Sequence, residues 1–486
     1  MFYLSSVKLY IKFNLWNKRM SSYIHCKYCK TQRFGGSSIM NQQLSKQFIF
    51  STGQMLTLVL VTLSGILTVV ALHGKLVLGF FPGLLYLFLI SLKKGAKPIE
   101  LGKAGVTGAL KAKEVMIILA LIGMLLPSWE LAGTIPQLVS LSLTMISVTH
   151  FYLLSFLATM LLSMVLGTAV GTLSALGIPI ITTAQALGIP VEVTAGALLS
   201  GAVVGDRTSP LSSAFQLLSY TVELPVPEQF RSIFPTAVIS VLISIGSFMY
   251  LDAIKPVGKE QLLQKITGTE FSFIFILPAI ILIALVLMKV KIRWAFISSI
   301  VMAIALAIGN GTSVSELLNR LFFGIDGLGG GVLPMFWMIL FITAAGFYNG
   351  ILEEYQIIQP FIDKWFRQDD SLFKSSAKTM AAAGGVAVIG CNQTLPILLT
   401  GRSLFPFWKS RFNQRQFARV LADSAMVLPP LIPWNLMGIM SSTIIGVPVL
   451  HYVPFAVFPV SLLVVTLTYS AIRQHQPDGG PLPGKV

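Results

Sequence analysis

Long apolar runs dominate this sequence and constrain its fold more than any other feature. The first two, at residues 55–72 and 76–92, are long enough as helices to cross most of a hydrocarbon core about 30 Å thick. Only 11% of the residues are charged, against roughly 25% in a soluble domain. Because apolar residues form runs instead of alternating with polar ones, a β-barrel and a disordered chain are excluded. The sequence predicts an all-α polytopic membrane protein.

The net charge of +16 follows a membrane topology pattern. No acidic residue precedes Glu100, and the basic residues gather in short stretches between apolar runs, as in cytoplasmic loops. We therefore expect a multi-pass protein of the cell membrane with a cytoplasmic N-terminus, and no binding to nucleic acid. Residues 1–50 are predicted to form a basic cytoplasmic tail. Met20 and Met40 are alternative starts, so this tail is left out of the fold prediction.

Further apolar runs follow, some continuous and some broken. The continuous ones lie near residues 115–126, 233–250, 271–288, 295–308, 333–348 and 450–471. Four other runs are interrupted by small, polar or proline residues where a membrane helix would be expected to continue. These four breaks lie at residues 167–172, 205–210, 390–394 and 429–435. Counting broken segments, we expect roughly 11–13 transmembrane helices, including broken helices and re-entrant hairpins.

The breaks recur in the same order in the two halves of the chain. Gly167 and Gly390 are 223 residues apart, and Pro210 and Pro430 are 220 residues apart. This spacing predicts an internal repeat. Paired breaks in two halves are also the sequence feature that points to the binding site of a secondary transporter. The predicted units are the tail at 1–50, a first repeat at 51–255, a second repeat at 256–473, and a polar tail at 474–486.

The residues of the breaks suit the binding of a hard cation. Unwound backbone persists in hydrocarbon only where it lines a cavity or is buried in protein, so four breaks predict one shared cavity. Neutral oxygens favour alkali cations, and a carboxylate within the membrane is a functional candidate by default. The candidate ion- and substrate-binding residues are Asp206, Ser209, Ser212, Ser213, Thr168, Thr172, Asn392, Gln393, Thr394, Asp423 and Asn435, with Asp206 and Asn392 as Na+ ligands.

A structural interpretation competes with this one at both carboxylates. Asp206 is adjacent to Arg207, and Asp423 lies one helical turn from Arg419, so each Asp has a local cation with which to pair. An intramembrane aspartyl protease that uses both Asp side chains, or a passive channel, is a further alternative. A protease has no use for polar breaks repeated in two halves, so an enzyme is not expected.

Cysteine usage predicts neither a disulfide scaffold nor a metal centre. Cys26 and Cys29 are the only close pair of the three cysteines. His25 is the only other metal-ligand candidate beside them, whereas a zinc site requires about four ligands. No cofactor is expected.

Three of the breaks carry motifs that resemble those of the NhaC-type sodium/proton antiporters. Residues 205–212 (Gly-Asp-Arg-Thr-Ser-Pro-Leu-Ser) resemble the family's Gly-Asp-Lys-x-Ser-Pro-Leu-Ser motif. Residues 430–435 (Pro-Leu-Ile-Pro-Trp-Asn) are similar to the family's Pro-Leu-Ile-Pro-Trp-Asn motif. Residues 390–394 (Gly-Cys-Asn-Gln-Thr) resemble its Gly-x-Asn-Gln hairpin tip. The resemblance extends over most of the chain, from about residue 55 to residue 473.

The resemblance implies a sodium-coupled secondary transporter of the ion transporter superfamily, with two inverted repeats, re-entrant hairpins and an elevator-like moving domain. It also implies that Asp206, Ser209, Asn392 and Asn435 line the ion and substrate site. Where typical members continue the first motif with an Asp-Thr pair, this chain has Ser213-Ala214, so a carboxylate that the family often carries is missing.

We therefore expect exchange of Na+ for H+ across the cell membrane by alternating access, with a carboxylate that holds either ion but not both. The alternative is Na+- or H+-coupled transport of a small organic anion or amino acid, because the family also contains malate/lactate exchangers and amino-acid carriers. Expected partners are Na+, H+, a small organic acid under that alternative, membrane lipid, and a second copy of the chain in a homodimer.

Overall fold

The computed structural model describes residues 50–72, 74–138, 150–254, 272–325, 330–355 and 371–473. These ranges form helices joined by short connections and contain no β-strand element, which confirms the predicted all-α class. The basic tail with its Cys26–Cys29 pair and His25, and the polar tail at 474–486, lie outside the described residues.

Each half of the chain contains nine principal helices within the described ranges. The first half forms α1 (Thr52–Ala71), α2 (Leu76–Lys93), α3 (Pro98–Lys111), α4 (Lys113–Leu131), α5 (Phe151–Leu166), α6 (Ala169–Ala186), α7 (Val191–Thr208), α8 (Ser213–Thr221) and α9 (Val226–Ile254). The second half forms α10 (Phe273–Leu287), α11 (Ile292–Gly309), α12 (Val314–Phe323), α13 (Val332–Glu354), α14 (Leu372–Gly390), α15 (Gly401–Arg411), α16 (Gln414–Ala425), α17 (Leu436–Ile445) and α18 (Val457–Arg473).

Seven of the described helices are long and apolar enough to cross a membrane, namely α1, α2, α4, α6, α9, α11 and α13. Two bent pairs raise this number to nine. One pair joins Gln414–Leu431 to α17 at an angle of 52°, and the other joins Val449–Phe455 to α18 at 56°. Two further apolar helices, α5 and α10, are shorter than these spans.

The second bend differs from the prediction, which treated residues 450–471 as one continuous span. The chain turns at Ala456, between Pro454 and Pro459. Each proline removes a backbone donor and its ring obstructs the preceding helical turn, so a straight helix through this point is disfavoured. This bent pair is therefore a further broken helix, in addition to the four predicted breaks.

The helices form two packed groups. In the first, which we call the flanking group, α1–α4 pack with one another and with α10–α13. In the second, the break group, α5–α9 pack with one another and with α14–α18, and this group contains all four breaks. The four helices that open each half thus belong to the flanking group, and the five that close each half belong to the break group.

Glycine allows very close packing between α5 and α7 in the break group. A Cβ atom at Gly205 would lie 2.1 Å from the carbonyl carbon of Ser163, so only a residue without a side chain fits there. Small residues that bring two backbones together are characteristic of helix packing in membranes. The contact fixes the last turn of α7, and therefore Asp206, against the end of α5.

Candidate functional site

The first two breaks lie against each other. Gly167 ends α5 in the left-handed conformation, with φ of +69°, and a Cβ atom there would lie 2.7 Å from the backbone of Leu211 and Ser212. The Ser209 hydroxyl donates a hydrogen bond of 2.9 Å to the carbonyl oxygen of Met164. Glycine at 167 therefore permits both the turn and the contact, and the start of α6 is brought next to the end of α7.

Asp206 lies in the last turn of α7 with 8% of its surface exposed, and neutral donors surround its carboxylate. The side-chain amide of Gln393 donates to Oδ2 at 2.9 Å, and the Ser212 hydroxyl donates to Oδ1 at 3.4 Å. The backbone N–H of Ala169, the first residue of α6, also donates to it. Asp206 itself lies in the second break, and Ala169 and Gln393 lie in the first and third, so three of the four breaks meet at this one carboxylate.

Asp206 has no cationic partner among the residues that the structure describes. Among the described residues, no Lys, Arg or His side chain forms an ion pair with it. The predicted pairing with Arg207 is therefore wrong. Adjacent residues of a helix point in directions about 100° apart, so the Arg207 side chain leaves α7 on another face.

Arg207 pairs instead with Asp423, 216 residues further along the chain. Its Nε donates to Asp423 Oδ1 at 2.6 Å, its Nη2 contacts the same oxygen, and both side chains are fully buried. The Thr466 hydroxyl donates to the other carboxylate oxygen, and Thr236 accepts from Arg207 Nη2 at 3.0 Å. Asp423 is thus neutralised across the two halves of the chain.

The predicted pairing of Asp423 with Arg419 is also wrong. Arg419 Nε donates to the backbone carbonyl of Ser232 at 2.8 Å, and its guanidinium lies 4.2 Å from the ring centroid of Tyr469. The two buried carboxylates are therefore unlike. Asp423 pairs with a buried cation, whereas the partners of Asp206 in the described part of the chain are all neutral.

The third and fourth breaks are tied together by side-chain amides. Asn435 is fully buried, and its Nδ2 donates to the carbonyl oxygens of Ala387 at 2.9 Å and of Asn392 at 3.4 Å. Asn392 Oδ1 accepts from the backbone N–H of Leu395 at 2.8 Å. We call the segment 391–394 the hairpin tip. Asn435 satisfies one carbonyl within it and one in α14, and Asn392 satisfies the N–H of Leu395, which follows it.

The remaining predicted site residues differ in their surroundings. The Thr172 hydroxyl donates to the carbonyl of Thr168 at 2.9 Å, which places both at the start of α6. Ser212 reaches Asp206, whereas Ser213 is exposed in the first turn of α8. Thr394 is also exposed and lines a cavity that neither Gln393 nor Asp206 lines.

This cavity has a volume of about 210 Å³ and lies between the flanking group and the hairpin tip. Its polar lining residues are Lys111, Asn349, Glu353, Asn392 and Thr394. Lys111, Asn349 and Glu353 were not among the predicted site residues, because no sequence motif contains them. One signal was available: an asparagine inside the otherwise apolar text of α13 has to find a polar partner or line a cavity.

The site contains no cluster that would hold a resident transition metal in the described part of the chain, where no three His, Cys, Asp or Glu side chains come together. What the breaks supply around Asp206 is one carboxylate, hydroxyl groups, amides and free backbone groups. That set is suited to a proton or to a hard monovalent cation.

A multi-pass helical protein with an uncompensated buried carboxylate among broken helices has the features of an ion-coupled secondary transporter. Sequence comparison gives the family. The model of the Na+/H+ antiporter family matches residues 227–472, which is just over half of the 486-residue chain. The protein belongs to this family, as the NhaC-type resemblance of its motifs predicted.

Three relatives are similar over most of their length. The Na+/H+ antiporter NhaC of Bacillus subtilis is 26% identical over 392 residues, covering 74% of this chain and 84% of the relative. NhaC of Alkalihalophilus pseudofirmus is 26% identical over 380 residues, covering 74% and 82%. The malate-2H+/Na+-lactate antiporter of Bacillus subtilis is 27% identical over 393 residues, covering 76% and 83%.

Proposed function

We propose that this protein exchanges Na+ for H+ across the cell membrane by alternating access, and that Asp206 is the site for which the two ions compete. The observation that carries the proposal is that Asp206 is buried within the membrane-spanning region and has only neutral partners. Family membership and the names of the NhaC relatives support the same activity.

The two candidate site carboxylates, Asp206 and Asp423, differ in whether a counter-charge lies beside them. A buried ionised carboxylate without a counter-charge is strongly disfavoured, so it takes up a cation or a proton. Asp423 has its counter-charge in the Arg207 guanidinium. Asp206 has none among the described residues, and its negative charge is available to Na+ or H+ in turn. One carboxylate that binds one of two cations gives exchange when each ion is bound from one side and released to the other.

Na+ binding requires a local change at Gln393. This side chain donates a hydrogen bond from its N–H group to Asp206 Oδ2, and an N–H group cannot coordinate a cation. Rotation of the amide would turn its oxygen toward the ion beside the oxygens of Asp206 and Ser212. The other hydrogen bond of Gln393, to the carbonyl of Met426 at 3.0 Å, would break in the same step. The hydrogen bonding of the Asp206 carboxylate therefore depends on the position of the hairpin tip.

We also propose that residues 51–255 and 256–473 are two inverted repeats, with the N-terminus in the cytoplasm. The matching helix order of the halves, and the equal contribution of each half to the two helix groups, support this division. In this arrangement the flanking group is the fixed part and the break group, with Asp206, is the part that moves. The basic residues between α2 and α4 support a cytoplasmic position for the mouth of the cavity, which Lys111 lines.

The test is Na+-dependent proton flux in proteoliposomes that contain the full-length protein and a pH-sensitive dye. We expect flux in the parent and none in Asp206→Asn, which cannot carry a negative charge. The matched control is Asp252→Asn, another buried carboxylate, which accepts hydrogen bonds from the backbone N–H groups of Tyr152 and Leu153 at 2.9 and 3.1 Å. It should retain the flux. Asp206→Asn protein that folds and still exchanges Na+ for H+ would exclude Asp206 as the shared site.

A second candidate is coupled transport of a small organic anion, and it is supported by Ser213-Ala214, where related sequences often carry Asp-Thr, and by the malate/lactate relative. The same vesicles distinguish it. If Na+, Li+ and K+ give no proton flux in the parent but a small organic acid does, Na+/H+ exchange is refuted for this chain.

A further inference from the structure

The cavity beside the hairpin tip is built differently from the Asp206 site. Most of its wall is apolar, and its largest apolar residues are Val115, Phe341, Ile342, Leu395, Leu398 and Leu436. A bare Na+ ion requires several oxygen ligands, which such a wall does not supply. A mostly apolar cavity with a few placed polar groups is instead typical of a site for a small organic molecule. A volume of about 210 Å³ limits this molecule to a small one.

Asn349 is a buried polar residue in the wall of this cavity. It lies on α13 with 8% of its surface exposed, and its Oδ1 finds no hydrogen-bond partner among the described residues. A buried carbonyl oxygen without a partner costs about 1–3 kcal/mol, and a donor group of a ligand at Asn349 would offset this cost. Asn392 and Thr394 line the facing wall, on the hairpin tip.

The mouth of the cavity carries one charge of each sign. Lys111, at the end of α3, and Glu353, near the end of α13, form an ion pair of 2.8 Å and both line the cavity. Both side chains are exposed, so the pair is weak and its partners are free to exchange. A net anion would be repelled by Glu353 and a net cation by Lys111. A molecule with a carboxylate and an ammonium group complements both.

We propose that this cavity binds a small apolar zwitterion, an aliphatic α-amino acid, with its ammonium group at Glu353 and Asn349 Oδ1, its carboxylate at Lys111, and its side chain against the apolar wall. Asn349 is then a specificity-determining residue. The inference goes beyond Na+/H+ exchange but rests on the proposed function in one respect, because the hairpin tip that walls the cavity also holds Asp206 through Gln393.

The experiment measures saturable binding of radiolabelled L-alanine, L-valine and L-leucine to the full-length protein in phosphatidylcholine/phosphatidylglycerol nanodiscs. For the tightest of the three, we expect the analogue without the ammonium group and the analogue without the carboxylate to bind at least about tenfold more weakly. For L-valine these are 3-methylbutanoate and isobutylamine. Asn349→Leu should weaken binding by about tenfold, the effect of one lost buried hydrogen bond.

The matched control is Thr343→Val on the same helix. Its hydroxyl donates to the carbonyl of Ile339 at 2.8 Å and does not line the cavity, so binding should stay within about twofold of the parent. Glu353→Gln is a second test at an exposed position where folding is not at risk, and it should weaken the amino acid but not 3-methylbutanoate. The proposal is overturned if none of the three amino acids binds saturably, if 3-methylbutanoate binds as tightly as L-valine, or if Asn349→Leu and Glu353→Gln both bind like the parent.

The same protein is also assayed for Na+-dependent proton flux, which separates the two proposals. Flux without amino-acid binding refutes the cavity assignment alone. Amino-acid binding without flux refutes Na+/H+ exchange alone and leaves the cavity assignment standing.

Discussion

Replacement of Asp423 by Asn tests whether Arg207 neutralises this carboxylate in the folded protein. The substitution keeps the size of the side chain but leaves a fully buried guanidinium without a counter-charge. Breaking a buried ion pair by removing one partner costs about 3–5 kcal/mol. Asn still accepts one hydrogen bond, so we take the lower figure of about 3 kcal/mol. The shift in Tm is about 2 °C per kcal/mol for domains as large as about 250 residues, so Tm should fall by about 6 °C.

The same substitution at Asp206 should not lower Tm. Asp206→Asn removes a buried charge that no described cation compensates, so Tm should be unchanged or higher. The double variant Arg207→Met/Asp423→Asn removes both charges and should recover most of the stability that Asp423→Asn loses, since a neutral replacement of a buried pair is often tolerated.

The assay is thermal unfolding of the purified variants in one detergent, followed by intrinsic fluorescence and by helical circular dichroism. The parent, Asp423→Asn, Arg207→Met and the double variant form a complete cycle, and Asp206→Asn is measured beside them. A Tm for Asp423→Asn within 1–2 °C of the parent, taken as about the precision of the method, would refute the ion-pair argument. A fall as large in Asp206→Asn would refute the claim that the two carboxylates differ in their compensation.

Three other substitutions test the packing that positions the site. Gly205→Leu should abolish the folded, monodisperse peak in size-exclusion chromatography, because its side chain would overlap the backbone at Ser163, whereas Gly246→Ala, with open space around it, should elute like the parent. Asn435→Ala should lower Tm, since each of its two amide hydrogen bonds to backbone carbonyls is worth about 1 kcal/mol. Asp252→Ala should lower Tm by less, as the loss of a helix cap costs about 0.5–2 kcal/mol, and a Tm equal to the parent's would refute the cap.

The helices and the breaks could be predicted because their signals are local. Hydropathy over some twenty residues identifies a span, and glycine, proline and hydroxyl residues within apolar text identify a break. The end of α5 at Gly167 and the end of α14 beside Cys391 both lie at predicted breaks, and both residues adopt the left-handed conformation. Local propensity is sufficient at Gly167, because glycine adopts the left-handed conformation at little cost.

The partners of the charged residues could not be predicted, because they depend on contacts between distant segments. Arg207 and Asp423 are 216 residues apart, and nothing within one helical turn of either indicates the other. The sequence offered only local pairings, and both were wrong. The cavity was missed for the same reason. Lys111 and Glu353 are 242 residues apart, and they meet only because α3 packs along α13.

The hairpin tip links the two proposed sites in a way that constrains coupling. Gln393 holds Asp206, while its neighbours Asn392 and Thr394 line the cavity. Consecutive Cα atoms are about 3.8 Å apart and cannot separate, so a backbone displacement that moves Gln393 away from Asp206 also shifts the cavity wall. If Na+ at Asp206 changes the affinity of the cavity for its solute by some factor, the solute must change the Na+ affinity by the same factor. Binding titrations of each ligand with the other at saturation measure both factors, and unequal values would show that the two ligands do not share one coupled equilibrium.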